Sequence, residues 1–251
     1  MDRFDADLRD SEDCLDAGLA VNDRPRRPRR AAIAIDGPAA SGKTTVAQRL
    51  AQHLGFLFFD AGVMYRAVTL LALRRGVAPE DEAAVVALAE SILVDVRPPS
   101  LPDGRLYDVM ANGEDVTWGI RAEEVDRHVS RVSAYPGVRT AMTRQQRDIG
   151  LRGDVVMVGR DIGTVVLPEA DLKLFLVASV DERARRRHRE LTERGQPAEL
   201  PAIRSAMAAR DEYDSSRALA PLKPAPDAVI LDTTDLTVDQ VLECVVTLAE
   251  A

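Results

Sequence analysis

The 251-residue chain has only two cysteines, Cys14 in a polar stretch and Cys244 in an apolar one. They are far apart and lack metal-ligand or redox spacing, which excludes a disulfide scaffold and a thiolate metal centre. The histidines, His53, His128 and His188, form no HxxxH or HxxE cluster, so neither a zinc site nor an imidazole general base is expected. No apolar run reaches the roughly 20 residues of a bilayer-spanning helix. The first residues are acidic (Asp2, Asp5, Asp7, Asp10, Glu12, Asp13, Asp16) and lack the basic start and apolar core of a secretory signal. A cytoplasmic location without membrane contact is therefore expected. The formal net charge of -8 argues against a non-specific grip on nucleic acid, although an acidic protein can still gather arginine in one cleft.

Hydrophobic residues at 46% and charged residues at 29% describe a globular chain, long enough for one main core and a smaller lobe. Residues 1–30 stand apart: an acidic stretch leads into Arg24-Pro-Arg-Arg-Pro-Arg-Arg30 with little to bury, and reads as a disordered tail. Its basic cluster is either a solvated linker or an anion contact. From Ala31 to Ala251 the texture is that of one domain, in which short apolar runs alternate with amphipathic stretches. The runs 31–36, 56–60, 155–158, 172–178 and 228–232 lack polar alternation, as strands of a parallel sheet covered on both faces do. An α/β architecture with a five-stranded parallel core sheet follows. Residues 92–124 differ, with Pro98, Pro99 and Pro102 and the turn dipeptides Asp103-Gly104 and Asn112-Gly113, which predict a small antiparallel insert. Helices are expected over 63–75, 81–90, 121–134 and 138–151, the last two separated by a break at Tyr135-Pro136-Gly137.

Directly after the first strand comes Gly37-Pro38-Ala39-Ala40-Ser41-Gly42-Lys43-Thr44, the G-x-x-x-x-G-K-[ST] pattern, opening the amphipathic stretch from Thr45 to Leu54. Such a P-loop turns successive backbone N–H groups onto phosphate oxygens and adds the positive end of a helix. Lys43 is placed to reach the β- and γ-phosphates of ATP, and the Thr44 hydroxyl to ligate Mg2+. A switch GTPase would also carry the guanine-reading tetrad N-K-x-D, which the sequence does not contain. A nucleotide kinase needs a second anion site and a mobile cationic segment. Arg66 follows the second strand and Arg160-Asp161 the third, at the carboxyl ends where α/β sheets open their crevice. Each arginine either clamps an acceptor phosphate or pairs with a neighbouring acid. After the fourth strand, six arginines fall between Arg183 and Arg194, ahead of Gly195-Gln-Pro197. This stretch, about 181–198, is either a lid or a solvated helix face laced by i,i+4 ion pairs.

Taken together, IDGPAASGKTT (35–45), DAGVMYR (60–66), SRVSAYPGVR (130–139), GRDIGTVV (159–166), DERARRR (181–187) and RDEYDSSRALAPL (210–222) resemble the bacterial cytidylate (CMP) kinase family over nearly all of 31–251. The resemblance implies a P-loop nucleoside monophosphate kinase fold, with the antiparallel insert in the CMP-binding lobe and a short helical lid. It places Ser130, Arg139 and Asp161 on the cytosine, and Arg66, Arg160 and Arg217 on the CMP phosphate. Arg210 and Asp214 fall on the pentose hydroxyls, Arg183, Arg186 and Arg187 in the lid, and Thr45 closes the ATP-binding loop.

Two positions depart from the family pattern. Ala61 stands where a hydroxyl residue is common, and Val158 where an acid commonly precedes G-R-D, which leaves Asp60 or phosphate-held water to anchor Mg2+. The implied reaction is direct in-line transfer from Mg-ATP to CMP or dCMP by a protein expected to be monomeric, with no stable nucleic-acid partner. Two other readings remain: a P-loop kinase for another small acceptor such as a different nucleoside monophosphate or shikimate, and a nucleotide-binding regulator in which Arg24–Arg30 binds RNA or a partner.

Overall fold

The continuous apolar runs form a parallel sheet of five strands in the order β2-β6-β1-β7-β8. The structure is a computed structural model that describes residues 31–217 and 219–251. The expected tail over 1–30 therefore lies outside the described residues. The sheet comprises β1 (Ala32–Asp36), β2 (Leu57–Asp60), β6 (Val155–Val158), β7 (Leu172–Val177) and β8 (Val229–Asp232). Every residue of β6 is buried, and β1 is buried from Ile33 onward, as befits strands covered on both faces. Because all strand pairings are parallel, the carboxyl ends at Asp36, Asp60, Val158, Val177 and Asp232 share one edge. The loops that leave that edge carry the P-loop, the Asp60 motif and the Gly159-Arg160-Asp161 motif.

Helix α1 (Lys43–Leu54) buries Val46, Ala47, Leu50, Ala51 and Leu54 on one stripe and stops at Gly55, whose φ of 70° places it in the left-handed region. α2 (Gly62–Arg74) and α3 (Glu82–Ser91) follow; the Asp81 side chain caps α3 by accepting from the Ala84 amide. The insert is an antiparallel sheet of β3 (Val94–Arg97), β4 (Asp108–Ala111) and β5 (Glu114–Asp115). Asn112 and Gly113, at φ 50° and 85°, make the tight β4–β5 turn with the left-handed pair such hairpins need. Asp103-Gly104 does not turn a tight hairpin: it lies within the connection 98–107, where the Asp103 carboxylate binds Arg105. Buried Arg105 also reaches Asp108 and Asp115, so one guanidinium ties the loop to β4 and β5.

α4 (Glu123–Val132) is preceded by a 3-10 turn at Gly119–Arg121, and α5 (Pro136–Gly150) follows. Pro136 and Gly137 begin α5 rather than interrupting the chain before it, since proline is tolerated in a helix's first turn. Gly137 is needed there: a Cβ would lie 2.5 Å from the Val86 side chain of α3. The remaining helices are α6 (Val180–Glu193), α7 (Leu200–Ser216), packed against each other, and α8 (Val238–Glu250). α8 begins with a capping box between Thr237 and Gln240. A single apolar core joins the strands to α1, α2 and α5. No helix among the described residues is long and apolar enough to cross a membrane.

Candidate active site

Gly37 leaves β1 at φ 141°, and a Cβ there would sit 2.1 Å from the Leu176 carbonyl oxygen, so only glycine allows the loop to pass this close to β7. Gly42, at φ 89°, is the N-cap of α1 and turns the loop into the helix. Lys43 is buried: its Nζ donates to the Pro38 carbonyl at 2.5 Å and lies 3.4 Å from Ser41 Oγ. Burial and the neighbouring Arg160 and Arg183 push its pKa well below the usual lysine range, although Asp60 and Asp36 oppose this. A bound polyanion removes that conflict. Thr44 and Thr45 are exposed at the first turn of α1, and Ser41 is buried, donating to the Pro38 carbonyl.

The Gly159-Arg160-Asp161 loop leaves β6 beside this cradle. Arg160 Nη1 donates to the Gly37 carbonyl at 3.0 Å, and its Nε to Asp214 Oδ2 at 2.9 Å. Buried Asp214, on α7, also faces Arg217 at 3.5 Å and Arg210 at 3.9 Å, so one carboxylate gathers three of the expected arginines. The Arg217 contact is an ion pair without hydrogen-bond geometry, and Arg217 Nη2 remains a buried donor with no acceptor. A phosphate oxygen would satisfy it.

Asp161 accepts from Arg139 Nη2 at 2.5 Å, and the Arg139 guanidinium stacks 5.5 Å from the Tyr65 ring centroid. Arg139 also lines an open groove of about 570 Å³ between α5, Val165 and Leu219. No P-loop residue lines it. Ser130 and Arg66 stand apart from this pair. Ser130 is exposed on α4, and Arg66 is held by the Ile120 carbonyl at 2.9 Å and by Asp126.

The arginines of α6 expected in the lid divide by partner. Arg183 is buried, chelated by Asp211 at 2.5 and 3.0 Å, and reaches the Ala39 carbonyl of the P-loop at 3.3 Å. Arg186 donates to the Thr233 carbonyl at 2.5 Å and to its hydroxyl at 3.1 Å. That hydroxyl lies 3.2 Å from the Ser41 carbonyl, so Arg186 is tied to the P-loop through Thr233. A Cβ on Gly42 would be 3.8 Å from Arg186 Nη1. Arg187 instead pairs with Glu190 one turn along α6.

Four residues of this network have no role assigned from the sequence: Asp36, Tyr65 and Asp211, although they lie inside the motifs 35–45, 60–66 and 210–222, and Thr233, a hydroxyl directly after a predicted strand. Asp36 is buried, and its two oxygens accept from the Ile162 and Gly163 amides at 2.9 and 2.7 Å. Burial raises its pKa to about 6 against those two hydrogen bonds.

The two departures sit in the same corner. Val158 is buried in the sheet opposite Asp60, and the Ala61 amide donates to the Val158 carbonyl at 2.9 Å. Among the described residues no cluster of three or more His, Cys, Asp or Glu is fit to hold a metal. Mg2+ at a phosphoryl-transfer site needs only one or two protein oxygens, the rest coming from phosphates and water. The exposed Thr44 hydroxyl and the half-exposed Asp60 carboxylate, close enough to influence Lys43, fit that requirement.

The chain is similar to known proteins along nearly its whole described length. The family model described as Cytidylate kinase matches residues 33–251. A cytidylate kinase of Chloroflexus aggregans is 55% identical over 205 residues, covering 82% of this chain and 87% of that protein. One from Geobacillus kaustophilus is 50% identical over 215 residues, covering 86% and 94%. Among solved structures, an uncharacterized protein from Eubacterium ventriosum aligns with a TM-score of 0.51 at 11% identity, over 88% of this chain and 99% of that one, a likeness of fold. With the P-loop, the Arg139–Asp161 pair and the arginines on Asp214 all lying within the matched residues, the chain belongs to the cytidylate kinase family.

Proposed function

We infer that the protein phosphorylates CMP with ATP, giving CDP and ADP. The observation that carries this reading, beside family membership, is the 3.0 Å bond from Arg160 to the Gly37 carbonyl. It supports the reading because Arg160, as the acceptor-phosphate ligand, would bring CMP against the loop proposed to hold the ATP phosphates, so that the two polyanions would meet at one seam of the sheet edge. The 5'-phosphate oxygen of CMP attacks the γ-phosphorus, the bridging P–O bond to the β-phosphate breaks, and its electron pair stays on ADP. The attacking oxygen is already ionised, so no strong base is required and catalysis rests on positioning and charge.

In this reading the backbone of 37–45 and Lys43 hold the ATP phosphates. Arg160 and Arg217 hold the CMP phosphate, which takes up the donors now spent on Gly37 and left free at Arg217. Arg66 joins them by leaving Asp126. Arg210 and Asp214 meet the pentose hydroxyls, and Arg139, Asp161 and Ser130 read the cytosine edge. Arg186, with Arg183 beneath it and Arg187 on lid closure, neutralises charge on the transferring phosphoryl. Thr44 and Asp60 would hold Mg2+, whose contribution is charge neutralisation across the β- and γ-phosphates. dCMP is accepted as well, since the Arg210 side chain is exposed and buried Asp214 still has Arg210 as a partner when one hydroxyl is missing.

ADP release measured by a coupled assay with CMP, dCMP, UMP, AMP and shikimate as acceptors tests the reading. CMP and dCMP should be turned over far faster than the others. Preference for AMP or shikimate, or no acceptor-dependent release, would overturn it.

A further inference from the structure

Three consecutive residues of the donor side stitch the acceptor loop to the sheet. The Ile35 carbonyl accepts from the Gly159 amide at 3.2 Å, and the Gly37 carbonyl from Arg160 Nη1 at 3.0 Å. Between them the Asp36 carboxylate accepts from the amides of Ile162 and Gly163 at 2.9 and 2.7 Å. Those two amides open the helical turn 162–166, whose first N–H groups have no partner within the turn. Asp36 therefore caps it from a strand 126 residues earlier in the chain.

The loop is shaped to sit on this carboxylate. A Cβ on Gly159 would lie 2.6 Å from Ile162 Cδ1, and one on Gly163 would lie 3.3 Å from the Lys173 side chain and 3.5 Å from Asp36 Oδ2. A side chain at 159 would crowd Ile162 within the loop, and one at 163 would press on the Lys173 side chain beside the carboxylate. Of the three residues 35–37, only Asp36 contributes its side chain; Ile35 and Gly37 accept through their backbone carbonyls.

We propose that Asp36 is a positioning residue for phosphoryl transfer, holding the loop that presents Arg160 and Asp161 in register with the P-loop. The inference rests on the reading of those two residues as acceptor ligands. Arg160 and Asp161 immediately precede the capped amides, so a shift of the turn displaces both. A buried carboxylate is a costly way to fill space, and an apolar residue would serve a packing role better. The carboxylate lies near Lys43 of α1 and Asp161 of the loop it caps, and burial raises its pKa to about 6. Protonation turns one accepting oxygen into a hydroxyl and frees one amide.

The test compares the full chain with its Asp36→Asn variant, whose amide group presents a donor to an N–H, and uses Asp161→Ala as reference. Asp36→Asn should lower kcat/KM for CMP by roughly 30- to 100-fold, narrow the CMP to UMP ratio, and leave KM for ATP within about threefold. The ratio of wild-type to variant kcat/KM should rise with pH through about 6, a quotient in which the ionisation of CMP itself, also with a pKa near 6, cancels. A folded variant with CMP and UMP kinetics within about threefold of wild type overturns the proposal. So does a parallel loss of CMP and ATP affinity with an unchanged acceptor ratio, the mark of a merely structural residue. Should the variant fail to fold, NMR of the wild-type protein decides. The Ile162 and Gly163 amide protons should titrate together with the Asp36 carboxyl carbon, and amides that do not follow it overturn the capping role. If Asp161→Ala leaves the acceptor ratio unchanged, the reading of the acceptor site itself fails; if it narrows the ratio and Asp36→Asn does not, only the present inference falls.

Discussion

Arg139 Nη2 and Asp161 Oδ2 face each other at 2.5 Å, both buried, with the Tyr65 ring beneath the guanidinium. A carboxylate next to a guanidinium matches the cytosine edge, which offers an N4 amino donor beside the N3 and O2 acceptors. Uracil turns its O4 acceptor toward the carboxylate, a buried mismatch of about 1–3 kcal/mol. CMP should therefore exceed UMP by roughly tenfold to a hundredfold in kcat/KM. Asp161→Ala should cost CMP more than UMP and narrow that ratio. If the pair is only a structural salt bridge, both acceptors weaken equally, and measuring both with both proteins separates the cases.

Lys43 is buried, flanked by Arg160 and Arg183 as well as by Asp60 and Asp36, with its ammonium resting on the Pro38 carbonyl and burial lowering its pKa. Lys43→Ala should abolish measurable transfer, a loss of at least about a thousandfold in kcat, while the circular dichroism spectrum and melting profile stay near those of wild type. Removing a buried charge with a depressed pKa relieves a desolvation cost, so the fold should not suffer. Near wild-type turnover in the variant would remove Lys43 from the mechanism.

Arg186 and Arg187 are neighbours in sequence with different surroundings. Arg186 is tied through Thr233 to the P-loop, whereas Arg187 is half exposed and paired with Glu190. Arg186→Ala should lower kcat by roughly a hundredfold with KM for CMP changed less than about threefold, as for a group that acts on the transferring phosphoryl. Arg187→Ala should cost less than about tenfold, since an exposed i,i+3 pair contributes little beyond its charge. Steady-state kinetics of the two variants side by side checks both, and equal effects would mean that the contact through Thr233 is irrelevant to catalysis.

The strands were legible because a parallel strand buried on both faces leaves a continuous apolar run, and all five runs became strands within a residue or two of their expected ends. The Asn112-Gly113 turn was legible for an equally local reason, the need for positive φ at both positions. Asp103-Gly104 has the same local preference, but Arg105 captures the aspartate and the chain runs on to residue 107 before β4 begins. The break expected at Tyr135-Pro136-Gly137 became the start of α5 because proline suits a first turn and Val86 packs against Gly137. Within the site, the P-loop and the arginines announced themselves by type and spacing. The roles of Asp36, Tyr65 and Asp211, which lie inside the same motifs, were not legible, because each acts on a partner remote in sequence and spacing carries no mark of that partner.

Asp36 also couples function to stability. Its carboxyl titrates near 6 in the folded protein against an ordinary value of 3.8, because burial disfavours the charge. A raised carboxyl pKa means that the folded state binds the proton more tightly than the unfolded chain. The stabilisation this gives is fully present below pH 3.8 and is lost as pH rises through about 6. Above that, the ionised group costs the fold about 3 kcal/mol relative to the protonated one. Asp36→Asn has no such titration. The stability of wild type minus that of the variant should therefore fall by roughly 2 kcal/mol between pH 4 and pH 7, with most of the change between 4 and 6. Urea unfolding of both proteins at pH 4, 5, 6 and 7 measures this difference, and other titrating groups cancel in the subtraction. A difference independent of pH would show that Asp36 keeps its ordinary pKa, and a difference that grows with pH would show that the two amides outweigh burial and hold the carboxylate ionised.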